Sequence, residues 1–96
     1  MQNPKKEMVK NKLSTHDIES VIRSTEFIFL PDGKTTVCQL TLNNGYTVIG
    51  VSACVDPANF DSQLGSKIAR ENAVKEIWPL EGYLLAQRLY EAKENM

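Results

Sequence analysis

Two clusters of turn-forming residues, Pro31-Asp32-Gly33-Lys34 and Asn43-Asn44-Gly45, bracket a stretch in which Cys38, Leu40 and Leu42 recur at every second position. Proline presets the backbone angle of a tight turn, and Asn and Gly tolerate the positive φ that short hairpin loops require. Period two is the repeat of a strand with one buried face, here the face of Cys38, Leu40 and Leu42. The aromatic and β-branched run from Phe27 to Leu30 and the segment from Tyr46 to Ser52 then fall on either side as neighbouring strands. The result is a three-stranded antiparallel meander, and such a sheet needs a cover for one face.

The cover is legible downstream. Asp56-Pro57 has the chemistry of a helix start, with the acid as cap and proline where its missing N–H costs nothing, and Asn59 or Asp61 re-caps a longer helix. From Asp61 to Ile77, Leu64, Ile68, Ala69, Ala73 and Ile77 recur at three- and four-residue spacing. Gly65, Ala69 and Ala73 form a row of small residues that lets another backbone approach closely. Pro79 removes a helical hydrogen bond and crowds the preceding turn, which predicts a bend there, marked by Trp78 and Tyr83. A last helix follows from Leu80 to Lys93, with Leu84, Leu85, Leu89 and Tyr90 on one side. Upstream, Ser14-Thr15-His16-Asp17 caps a short helix whose Ile18, Val21 and Ile22 share a face. The expected architecture is α+β: a short N-terminal helix, a three-stranded antiparallel β-meander, and two consecutive C-terminal helices bent at Pro79.

At 96 residues the chain is one domain. It divides into a flexible Lys-rich tail, residues 1–12, and a single α+β domain over 13–96. The tail holds Lys5, Lys6, Lys10 and Lys12 against Glu7, whereas the remainder is acidic, so the net charge of −1 excludes a broadly cationic nucleic-acid binder. With 42% hydrophobic and 24% charged residues the chain is neither disordered nor fibrous. The longest uncharged stretch, Thr35 to Val55, is broken by Thr, Gln and Asn, so no membrane span is expected, and cytosol is the default location. A core this thin beside an apolar face of Leu and Tyr predicts a homo-oligomer, a dimer or larger.

No catalytic constellation is present in the sequence: there is no phosphate-binding glycine loop, no G-x-S-x-G and no H-E-x-x-H, so an enzyme is not expected. With His16 the sole histidine and Cys38 and Cys54 not in C-x-x-C spacing, neither a metal site nor a cofactor is expected, and both cysteines read as small packed residues in a reducing compartment. Asn72 falls four residues after Ile68, on the core side or its rim, where a carboxamide must find partners. It either bonds a neighbouring strand or helix end, or reads a base or ribose. Arg23, Arg70 and Arg88 are three planar forks in a chain that otherwise uses eight lysines, and bidentate or stacking contact with phosphates or nucleobases is one use of such forks, surface pairing the other. Phe60, between Asn59 and Asp61 at a helix start, is either a hydrophobic staple or a stacking plate beside an anion-favouring helix terminus. Phe27, Phe29 and Tyr46 read as sheet residues.

From Thr36 to Leu85 the elements Asp56-Pro57-Ala58-Asn59-Phe60-Asp61, Glu71-Asn72-Ala73 and Trp78-Pro79-Leu80-Glu81-Gly82-Tyr83 resemble a family of small phage and prophage proteins. Within that group the chain is similar to the phage anti-Thoeris sponges. That resemblance implies an oligomer that binds and sequesters cyclic ADP-ribose type immune signals, and at separate pockets cyclic oligonucleotides, in the host cytoplasm and without cleaving them. It implies Phe60, Asn72, Arg70 and Arg88 as ligand-binding residues, converging in a groove of the oligomer, with Arg23 less firmly matched. Two alternatives from other classes remain: an interaction module that inhibits a host protein, and a small DNA-associated accessory protein that uses the Lys-rich arm.

Overall fold

A computed structural model describes residues 11–94; residues 1–10 of the expected Lys-rich tail lie outside them. Helix α1 (Thr15–Ser20) is opened by Ser14, whose hydroxyl accepts from the Asp17 N–H while the Asp17 carboxylate accepts from the Ser14 N–H. This reciprocal arrangement satisfies donors at both ends of the first turn. The helix ends at Ser20, one residue before Val21, and Ile22 already belongs to β1 (Ile22–Phe29) rather than to the helix face expected of it. β2 (Thr35–Leu42) and β3 (Thr47–Ala53) complete an antiparallel sheet in the order β1-β2-β3. Both expected turns are in place, with Gly33 at φ 74° and Gly45 at φ 90°, values that a side chain would strain. In the first, the Asp32 carboxylate accepts from the Lys34 and Thr35 N–H groups and from the Thr35 hydroxyl.

The sheet buries the face expected of it. Thr36, Cys38, Leu40 and Leu42 alternate as buried positions along β2, joined by Val48 of β3 and by Ile18. Across them lies α2 (Ser62–Glu94), whose Ala69, Ala73 and Ile77 are fully buried. The row of small residues explains how close the layers come. A Cβ placed on Gly50 of β3 would stand 2.1 Å from the Ala73 nitrogen and 2.2 Å from the Ala69 oxygen, so helix and strand meet backbone to backbone.

One expectation is corrected here. Residues 62–94 form a single 33-residue helix with Pro79 inside it, not two helices divided at Pro79. Proline removes only one donor, the one that would reach Lys75. Pro79 is exposed, so solvent can satisfy that carbonyl, while buried Ile77 and half-buried Leu80 tie the helix to the core on either side. At ~1.5 Å per residue the helix is about 50 Å long, against about 27 Å for an eight-residue strand. It therefore outruns the sheet: beyond Leu80 no residue of α2 is buried.

Candidate functional site

At the end of the sheet where α2 begins, the chain builds a cleft of about 170 Å³. Asp56 caps a short 3-10 turn (Pro57–Asn59) by accepting from the Ala58 N–H, and this turn swings Phe60 back over the sheet. Phe60 meets Phe29 edge to face, with ring centroids 6.0 Å apart and planes at 84°, a favourable aromatic geometry. Asp61 then caps α2, its carboxylate accepting from Gln63 and Leu64 N–H at 3.0 and 3.1 Å. The amides that would draw an anion to this helix start are thus taken by the chain's own carboxylate, contrary to the expectation of a free N-terminus beside Phe60.

The cleft is lined by Phe60, Leu64 and Ile68 together with Lys34, Cys54 and Asn59. Under it, Ser52 Oγ donates to the Gly65 carbonyl at 2.6 Å. Gly65 is needed at this point because a Cβ would come within 2.9 Å of Thr36 Oγ1 and 3.7 Å of the Phe60 ring. Thr36 is fully buried and its hydroxyl has no partner within the described residues. Phe60 therefore acts as neither a simple staple nor a free plate: its ring closes over a glycine where a staple would find a side chain, and one edge remains in the cleft.

The other sequence-predicted site residues are dispersed. Arg70 forms a bidentate ion pair with Glu19 of α1, at 2.9 and 3.0 Å, joining the two helices. Its guanidinium pKa is raised and the Glu19 pKa lowered, in both cases first by the hydrogen bond they share. Asn72 donates to the Val51 carbonyl at 2.9 Å. In the β2-β3 ladder Leu42 N–H donates to Tyr46 and Cys54 N–H to Lys34, so the backbone groups of Val51 point away from β2, at the free edge of the sheet. Asn72 thus closes an edge carbonyl, the partner in a neighbouring strand that its placement called for. Arg23 is exposed at the irregularity between Ile22 and Ser24 where β1 departs from regular pairing. Arg88 is exposed on the overhanging part of α2, 18 residues beyond Arg70, or about 27 Å along the axis.

Of the five residues, Phe60 alone lines the cleft; Asn72 follows Ile68 one turn on along the same flank of α2, and Arg70 faces the opposite flank, toward α1. Among the described residues the cation that does line the cleft is Lys34, which sequence reasoning missed. Its place in a turn tetrad reads as turn chemistry, and nothing local signals that Cys54 pairs beside it through a backbone bond to its carbonyl. Both cysteines are free, Cys38 buried and Cys54 half-buried with its thiol near the Asp56 carbonyl at 3.3 Å. Burial raises the Cys38 pKa, which favours the inert thiol. Among the described residues no cluster of His, Cys, Asp and Glu could hold a metal ion, and no helix is long and apolar enough to cross a membrane.

Neither the curated proteins nor the solved structures contained a match to this chain. A family model did match, that of the phage protein (N4 Gp49/phage Sf6 gene 66) family, over residues 13–89. That span contains α1, the whole sheet, the Phe60 cleft and α2 through Leu89, so the chain belongs to the phage protein (N4 Gp49/phage Sf6 gene 66) family.

Proposed function

We propose that this phage protein is a sponge: a homo-oligomer that binds and sequesters a cyclic ADP-ribose type signal in the host cytoplasm, releasing it intact. The observation that carries the reading is the Phe60 cleft, whose lining combines an aromatic ring, Lys34 and Asn59 with the apolar Leu64 and Ile68 and with Asp61, whose carboxylate is engaged in capping α2. A cyclic ADP-ribose type ligand presents a purine, ribose hydroxyls and a diphosphate. Phe60 stacks the base, Asn59 bonds a hydroxyl or base edge, and Lys34 faces a phosphate. Sequestration asks for affinity and copy number and for no reactive group.

The cleft of about 170 Å³ is small against the roughly 300–1,000 Å³ of ordinary ligand pockets. A second copy supplies the missing wall in this reading, which is why the oligomer is part of it. Arg70 contributes only on release from Glu19, and Asn72 only on release from the Val51 carbonyl, so both are secondary to Phe60 and Lys34. Calorimetry against a panel of cyclic ADP-ribose isomers and cyclic di- and trinucleotides tests the proposal. Saturable binding of at least one member, weakened about tenfold or more by Lys34→Ala, is expected. The absence of binding across the panel, or recovery of a cleaved product, contradicts it.

A further inference from the structure

Under the Phe60 cleft the fold buries a hydroxyl that it does not use. Thr36 is fully buried, and among the described residues its Oγ1 has no hydrogen-bond partner. A buried polar group left unpaired costs stability, so its retention calls for a partner that arrives from elsewhere. The oxygen faces Gly65, which lines the cleft: a Cβ placed there would stand 2.9 Å from Thr36 Oγ1, 3.6 Å from Ser52 Oγ and 3.7 Å from a carbon of the Phe60 ring. Two hydroxyls and the edge of the ring thus meet at the bare Cα of Gly65. Ser52 spends its proton on the Gly65 carbonyl at 2.6 Å and keeps lone pairs, whereas Thr36 keeps both its proton and its lone pairs. The ring is lightly held. The turn that carries it is exposed from Asp56 to Asn59, and its aromatic partner, Phe29, is itself 52% exposed.

We propose that Thr36 is a specificity-determining residue of this cleft: a ligand turns the Phe60 ring aside, and one of its ribose hydroxyls takes the place of the ring edge above Thr36 and Ser52. A hydroxyl fits because it both donates and accepts. It accepts the Thr36 proton and donates to the Ser52 oxygen, which satisfies the orphan group. A phosphate oxygen can take the Thr36 proton alone, and brings its charge to a floor whose polar side chains are two hydroxyls. An apolar group leaves Thr36 as unpaired as before. The turned ring lies along the base, so that Phe60 is the plate and Thr36 the reader of the ribose beneath it.

The proposal rests on the sponge reading and adds to it which group of the ligand is read, and by which residue. The experiment is calorimetry of wild type, Thr36→Val and Thr36→Ser against the cyclic ADP-ribose isomer that wild type binds most tightly and against its monodeoxy counterparts, each lacking one ribose hydroxyl. Wild type is expected to lose about tenfold or more in affinity for one counterpart. Thr36→Val is expected to bind the parent about tenfold more weakly than wild type does, and to bind parent and that counterpart within about threefold of each other. Thr36→Ser keeps the hydroxyl and is expected to stay within about threefold of wild type and to discriminate as it does. Thermal denaturation without ligand is expected to rank the variants the other way, Thr36→Val above wild type and Thr36→Ser, which loses a buried methyl, below it. A residue that serves packing alone would move affinity and stability together. Far-UV circular dichroism verifies that each variant is native. A wild type indifferent to every missing hydroxyl, a Thr36→Val that discriminates as wild type does, or a native Thr36→Ser that does not discriminate overturns the proposal and leaves the sponge standing; a wild type that binds no isomer removes both.

Discussion

At the scale of single residues, side chains read as ligand-facing in the sequence are held by the fold's own backbone and carboxylates. Asn72 closes the Val51 carbonyl at the free edge of β3, a position where an unpaired strand invites further pairing. Asn72→Ala is expected to lower stability by about 1 kcal/mol, measured by urea denaturation, while leaving the fold intact. Thr36 makes the opposite case: its buried hydroxyl has no partner among the described residues, so the near-isosteric Thr36→Val is expected to raise stability by about 1 kcal/mol in the same measurement. A net loss would mean that the hydroxyl is satisfied in solution. The Glu19–Arg70 pair fixes the sign of a pH effect. Glu19 is held below the ordinary carboxylate range by the Arg70 hydrogen bond, and Asp32 likewise by the Thr35 hydroxyl and then the Lys34 N–H. Groups with lowered native pKa values contribute stability that is present above the ordinary carboxylate range and is lost as pH falls through their native values. Glu19→Gln is expected to flatten the loss of stability between about pH 5 and pH 3. At neutral pH it costs only about 0.5 kcal/mol, because both partners are about a third or more exposed.

At the scale of elements, the meander was legible and its cover nearly so. Turn chemistry at Asp32-Gly33 and Asn44-Gly45 and the period of Cys38, Leu40 and Leu42 leave little freedom of register, and the structure has that register. The row Gly65, Ala69, Ala73 announced a close approach, but its counterpart, Gly50, was a glycine in a strand with no local sign of what it faced. Its role follows only from the crossing of α2. Gly50→Ala is expected to force the helix from the sheet and cost about 3 kcal/mol or more, seen as a large drop in Tm; a change below 1 kcal/mol would contradict the backbone contact. Pro79 misled because a local rule was outweighed by tertiary packing, with Ile77 and Leu80 anchoring both sides of a single lost hydrogen bond. Leu64 and Ile68 belonged to the expected apolar period yet are 52% and 38% exposed, since they line the flank of the cleft instead of the core. Their spacing identified a helix face without distinguishing a core from a site.

At the scale of the whole molecule, a three-stranded sheet covered by one long helix leaves the Phe60 cleft at one end of α2 and an overhang of the helix at the other. The sequence pointed to Phe60 through its neighbours Asn59 and Asp61, and to the overhang through Leu84, Leu85, Leu89 and Tyr90. It did not show that Arg70 and Arg88 stand on separate parts of the helix, because linear spacing of 18 residues says nothing of convergence until the helix is known to be continuous. In the proposed sponge the Phe60 cleft holds a cyclic ADP-ribose type signal. Its most direct test is calorimetry of wild type and Phe60→Ala, both checked for native circular dichroism, against cyclic ADP-ribose isomers. Wild type is expected to bind saturably, Phe60→Ala to lose about tenfold or more in affinity, and the ligand to be recovered intact on denaturing the complex; equal affinity in the two proteins would rule out the Phe60 cleft as the site.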